Sequence, residues 1–162
     1  AWKNAVSSTN TPTCLVFSRQ NTSPISRTSD QIEGISNGGY LLKEHSEAQL
    51  TLVGSGSEVQ LILDAADILE EAGVIANVVS MPCLDIFLES EESYQLSVIK
   101  NDLPILAVEL GHPNSWYKLL NKEDKVLGID SFGESAPANV LLEHFGFSTS
   151  NVVKMAKSLI NA

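Results

Sequence analysis

Between residues 50 and 80 the sequence spells a unit that few folds can use: apolar run, glycine-rich turn, helix-length stretch, apolar run. Leu50-Thr51-Leu52-Val53 reads as a strand, and Gly54-Ser55-Gly56-Ser57-Glu58 follows it. Residues 58–72 then read as a helix, with Gly73 where a C-terminal cap belongs. Val59, Ile62, Leu63, Ala66 and Leu69 form one apolar stripe, and Leu61, Ala65, Ile68 and Ala72 a second. Only Gln60, Asp64, Asp67 and Glu71 remain as a narrow wet face, so this helix belongs in a layer pressed on a sheet. Residues 76–80 supply the next strand.

The same alternation extends in both directions. Residues 40–42 read as a short strand, separated from the one at 50–53 by only residues 43–49. A parallel crossover needs about a dozen residues or more, so these two strands, if paired, run antiparallel. Met81-Pro82-Cys83-Leu84 should turn the chain into short helices over 85–88 and 91–97. Pro104 introduces a strand at 105–109, and another follows at 126–129. A helix is expected over 137–145, with Pro137 in its first turn, and Ser148 or Thr149 caps a last helix ending near Ile160. Strand and helix in alternation indicate an α/β sandwich with a mostly parallel sheet and one antiparallel edge. No internal repeat is visible.

Residues 1–37 have a different character. A β-rich run at 13–17 leads into Ser18-Arg19-Gln20-Asn21, and 22–37 is a polar stretch that reads as an extended surface connector ended by Gly38-Gly39. The N-terminus, Ala1-Trp2-Lys3-Asn4, has neither an initiator Met nor a signal pattern, which leads one to expect that it begins inside a longer gene product.

Composition narrows the function classes. With 162 residues, 43% of them hydrophobic, the chain can bury a core. Its formal charge of −10 argues against nucleic acid and anionic membrane surfaces, which call for a basic face. Cys14 and Cys83 lie in apolar runs and read as free, buried thiols. No C-x₂-C pair exists and His45, His112 and His144 stand far apart, so zinc is not supported.

The residues that could carry chemistry are few. The turn at Gly54, Ser55, Gly56 and Ser57 could aim backbone N–H groups at an anion. It lacks the third glycine of a dinucleotide fingerprint, because Val59 stands there, and it lacks the Gly-Lys-Ser/Thr of a Walker loop. The plainer reading is a tight strand-to-helix turn with Ser57 as helix cap. No Gly-x-Ser-x-Gly elbow supports a serine nucleophile. Glu89, Glu91 and Glu92 read as a solvated helix start. Trp116 and Tyr117 fit either an interface anchor or packing over the sheet end. Arg19 directly follows an apolar strand, and a cation at that place is where α/β proteins put ligand-binding groups.

Taken in order, a set of motifs resembles the transketolase family. It comprises Pro12-Thr13, Phe17-Ser18-Arg19-Gln20-Asn21, Gly38-Gly39-Tyr40, the 54–59 loop, Val78-Val79-Ser80-Met81-Pro82-Cys83, Val108-Glu109, Gly128-Ile129-Asp130-Ser131-Phe132-Gly133-Glu134-Ser135-Ala136-Pro137, and Phe145-Gly146-Phe147. Ser80-Met81-Pro82-Cys83 and Phe132-Gly133-Glu134-Ser135-Ala136-Pro137 favour transketolase over pyruvate dehydrogenase or deoxyxylulose-phosphate synthase. A dihydroxyacetone synthase, a close relative, fits the same residues. Leu110 and His112 depart from the Val-Glu-Ala-Gly usual in relatives.

The resemblance implies that residues 1–21 close a middle, pyrimidine-binding domain, 22–37 are a linker, and 38–162 form the C-terminal α/β domain. It implies a three-layer sandwich around a five-stranded mixed sheet, four strands parallel and one antiparallel, with helices on both faces. The parent enzyme would be a cytoplasmic homodimer of the pentose phosphate pathway. It would transfer a two-carbon ketol unit between sugar phosphates with thiamine diphosphate and a divalent metal (Mg or Ca). No Gly-Asp-Gly…Asn motif occurs in this chain, so no catalytic, cofactor or metal ligand is expected in it. Of the family's functional positions only Arg19 is present, as the contact to the substrate phosphate. The expected role of the chain itself is structural. The alternative is a free-standing phosphate- or nucleotide-binding module that uses the 54–59 loop.

Overall fold

The computed structural model describes residues 1–19 and 21–161. Gln20, part of the Ser18-Arg19-Gln20 motif, and Ala162, the end of the expected domain, lie outside them. Five strands, β1 (Tyr40–Lys43), β2 (Leu50–Gly54), β3 (Ala76–Ser80), β4 (Ile105–Val108) and β5 (Lys125–Leu127), form one sheet in the order β1-β3-β2-β4-β5. β3, β2, β4 and β5 run parallel, and β1 is antiparallel to β3. The mixed α/β sheet read from the sequence is therefore present. One detail differs: β1 lies beside β3, not β2. The unit of β2, the helix Glu58–Glu71 (α3) and β3 places β3 directly against β2, and β4 takes the other side, so only β3 offers β1 a free edge.

Strand alternation divides the core between two layers. Leu50, Leu52, Ala76, Val78, Leu106 and Val108 face α3 (Glu58–Glu71) and the last helix, α7 (Thr149–Ile160). Val53, Val79, Ile105 and Ala107 face the opposite layer, where Phe87, Val98 and Trp116 pack. That layer holds α4 (Leu84–Glu89), α5 (Glu92–Val98) and a 3₁₀ segment, Pro113–Lys118. Between β5 and α7 lies α6 (Ala138–His144), with Pro137 at its N-cap, not inside its first turn.

α3 ends as expected. Gly73 N–H donates to the Glu70 carbonyl and Val74 N–H to the Leu69 carbonyl. Its first apolar stripe is buried apart from half-buried Leu63, but the second is buried only in part: Ala65 is fully buried and Leu61 half-buried, while Ile68 is 45% exposed and Ala72 exposed. A helix resting on one sheet and one neighbouring helix has no third body for a second stripe. Ser148 caps α7 by accepting from Asn151 N–H at 3.3 Å.

The N-terminal segment, residues 1–37, brings the larger corrections. Residues 13–17 form no strand, and Val16 and Phe17 are exposed. A strand needs a partner for its backbone polar groups, and none of the five strands pairs with this run. Cys14 is consequently exposed, not buried, and Cys83 is half-buried; both are free thiols. A short helix, α1 (Trp2–Ser7), precedes this run.

Residues 22–37 are not merely extended. They contain α2 (Ser29–Gly34) and a 3₁₀ turn, Ile35–Asn37. Thr28 and Gln31 form a reciprocal capping box, a signal present in the sequence as Thr28-x-x-Gln31. The Gln31 side-chain amide donates to the Leu41 and Leu42 carbonyls, covering the open edge of β1. Arg27 Nε donates to Tyr40 Oη at 2.6 Å, with its guanidinium over the Tyr40 ring. Gly38 follows in a left-handed conformation, φ 84°, so close to the α4 start that a Cβ there would lie 2.3 Å from the Cys83 carbonyl oxygen.

Candidate functional site

After β2 the chain crosses to β3 on one side; after β3 it crosses back to β4 on the other side of β2. The carboxyl ends of β2 and β4 therefore flank a topological switch point, the place where open α/β sheets hold their ligands. Two glutamates occupy it. Glu58, the first residue of α3, is buried at 6% exposure. Its carboxylate accepts from Leu110 N–H at 2.8 Å and from Ser57 Oγ at 2.7 Å. Glu109, just past β4, accepts from Gly111 N–H at 2.9 Å, from Trp116 Nε1 at 3.2 Å and from Ser55 Oγ at 3.4 Å.

This arrangement redirects the glycine-rich turn. Ser57 stands at the N-cap, but its hydroxyl makes no cap bond and instead donates to Glu58. The backbone of Ser57 is already helical (φ −70°, ψ −24°), which turns the side chain away from the N–H groups that a capping oxygen reaches from an extended backbone. Gly54, Ser55, Gly56 and Ser57 thus lie together at the switch point, laced to two carboxylates.

Arg19 lines a cleft with this group. The cleft, of about 430 Å³, is lined by Phe17, Ser18 and Arg19 together with Ser55, Glu58 and Leu110. Sequence reasoning singled out Arg19 and the turn separately; the fold places them on one cleft. It missed Glu58 and Glu109. Their signal was an acid immediately after a glycine-rich turn and another immediately after an apolar run, both at strand carboxyl ends. The aromatic pair divides: Trp116 is buried in the core and Tyr117 is 60% exposed. Among the described residues no three His, Cys, Asp or Glu side chains are gathered as a metal ion would require.

The fold and this site define a doubly wound α/β domain whose switch point is filled by its own side chains. The family profile for the transketolase-like TK C-terminal domain matches residues 38–148, and the chain belongs to that family. It is 41% identical to transketolase 1 of Pasteurella multocida over 165 residues, covering 99% of this chain and 25% of that protein. It superposes on transketolase from Leishmania mexicana with a TM-score of 0.91 and 39% identity, over 99% of this chain and 23% of that one. Against Pichia stipitis transketolase in complex with sedoheptulose-7-phosphate the TM-score is 0.81 at 35% identity, covering 88% of this chain and 20% of that chain. The chain thus spans about a quarter of the length of the curated relatives it matches. No helix among the described residues is long and apolar enough to cross a membrane.

Proposed function

We propose that this chain works as the C-terminal domain of a transketolase, a cytoplasmic homodimeric enzyme of the pentose phosphate pathway. The whole enzyme moves a two-carbon ketol unit between sugar phosphates. The observation that carries this reading is the near-complete superposition on a solved transketolase of which this chain spans only a quarter. Thiamine diphosphate with Mg or Ca supplies the chemistry in such an enzyme by stabilising the transferred carbanion. The residues of this chain do not fit that group. No metal-ligand cluster exists among the described residues, and the glycine-rich turn is faced by the Glu58 and Glu109 carboxylates, which repel a diphosphate. The same carboxylates weigh against a free-standing phosphate or nucleotide module. No step of the reaction is therefore assigned to this chain.

What the chain contributes is a rigid platform and one substrate contact. Arg19 lies at the border between this domain and the rest of the enzyme, and a guanidinium there suits a sugar phosphate held from the enzyme's side through two parallel hydrogen bonds. The test is Arg19→Ala in the full-length enzyme, with fructose 6-phosphate and fructose as donors. Loss of a charge-assisted hydrogen bond costs roughly 1.5–3 kcal/mol, about ten- to over a hundredfold in kcat/KM for the phosphorylated donor alone. Equal losses for both donors would assign Arg19 a structural role. Calorimetry of the 162-residue chain with thiamine diphosphate and Mg should show no micromolar binding; a clear isotherm would overturn the division of labour.

A further inference from the structure

We propose that the Gly54-Ser55-Gly56-Ser57 turn is a seat for the segment that carries Arg19, and that Gly56 is a positioning residue for this arginine. The inference rests on the reading of Arg19 as the substrate-phosphate contact.

Three observations carry it. A Cβ built on Gly56 would lie 3.3 Å from Ser18 Oγ, tighter than ordinary contact, so the side chain of the residue before Arg19 rests against this glycine. Ser18 and Arg19 line the same cleft as Ser55, Gly56, Ser57 and Glu58. The turn itself is held from below: Ser55 is tied to Glu109, Ser57 to Glu58, and Glu58 in turn to the backbone of Leu110. A seat must be rigid to place a side chain, and these bonds join the end of β2 to the end of β4. The buried Glu58, which lines the same cleft, also has the sign that favours a basic residue nearby.

Gly73 supplies the contrast. It has a positive φ like Gly56 (78° against 53°), but a Cβ there would meet nothing within 4 Å. Backbone conformation accounts for glycine at both positions; of the two, only Gly56 has the Ser18 side chain against it. In the class of sheet-end turns that bind phosphate through their N–H groups, this one instead supports the irregular segment that brings a guanidinium to the phosphate.

Two measurements test the proposal. In the 162-residue chain with Cys14→Ser and Cys83→Ser, Ser18→Cys combined with Gly56→Cys should close a disulfide under mild oxidation, because the side chains are at bridging range. Ser18→Cys with Gly133→Cys, where nothing lies within 4 Å, should not close beyond background. No closure in the first pair, or equal closure in both, overturns the seat.

The second measurement uses the full-length enzyme and needs no cysteine pair to fold. Asn tolerates the left-handed region, so Gly56→Asn and Gly73→Asn differ chiefly in what the new side chain meets. Gly56→Asn should raise KM for fructose 6-phosphate by about tenfold or more, since a displacement near 1 Å suffices for large losses. Its kcat, and the kinetics with fructose, should stay within about twofold, and Gly73→Asn should show no such split. If Arg19→Ala separates the two donors and Gly56→Asn does not, the seat is wrong. If neither does, the reading of Arg19 has failed and the proposal falls with it.

Discussion

Removing the Glu58 carboxylate is the most direct test of what holds the switch point together. Glu58 is 6% exposed and accepts hydrogen bonds from Leu110 N–H at 2.8 Å and Ser57 Oγ at 2.7 Å. Hydrogen bonds to a charged group contribute about 1.5–3 kcal/mol, and a carboxylate in the first turn of a helix adds about 0.3–1 kcal/mol. Against these stands the cost of keeping a charge out of water, which the substitution relieves. The net expectation for Glu58→Ala is a loss of about 2–3 kcal/mol, because Leu110 N–H is left half-buried without its acceptor. Glu58→Gln keeps an acceptor and should lose only about 1 kcal/mol. For a domain of this size each kcal/mol moves Tm by about 2–4 °C, so the Ala variant should melt about 5–10 °C lower. Denaturant unfolding at unchanged slope would confirm that stability, not the extent of unfolding, has shifted. An Ala variant as stable as the parent, or a Gln variant as damaged as Ala, would refute the argument that this carboxylate is a structural acceptor.

Other residues make independent expectations. Thr51 Oγ1 is buried in β2 with no hydrogen-bond partner among the described residues, so Thr51→Val should raise stability by about 1 kcal/mol, read as a higher Tm. Burial raises the Tyr94 pKa above the ordinary 10.0, against a smaller lowering by a side-chain hydrogen bond to Asn37, while its hydroxyl donates to the Gly39 carbonyl at 2.7 Å. The folded state then holds this proton more tightly than the unfolded state, so the stabilisation is complete below pH 10 and declines above it. Tyr94→Phe should flatten that alkaline decline in a pH series of melting curves. Deleting residues 1–37 should leave a cooperative transition, since all five strands remain, but at a lower Tm, because the Arg27–Tyr40 and Gln31–β1 bonds go with the segment; loss of cooperativity would move the domain boundary upstream.

Much of this protein was legible in its residue order, for a local reason. β3 and α7 stand where apolar runs, helix periodicity and Ser148 placed them, and the Schellman-type end of α3 follows from Gly73 alone. Such signals act within a few residues, so they survive without knowledge of partners. The motif set likewise carried the family, which is a property of order and spacing. Tertiary structure decided whatever depends on what lies alongside. The run at 13–17 has strand composition but no neighbouring edge, and it stays irregular with Cys14 and Phe17 in water. β1 took β3 as its partner because the β2–α3–β3 crossover left only that edge free. Glu58 and Glu109 are 51 positions apart by number and ordinary as sequence; parallel pairing of β2 with β4 brings their strand ends together at one switch point. Ser18 and Gly56 came to lie against each other in the same way. Hydrogen-bond partners across strands, and the burial that makes them count, are set by packing between distant segments, and no local pattern encodes them.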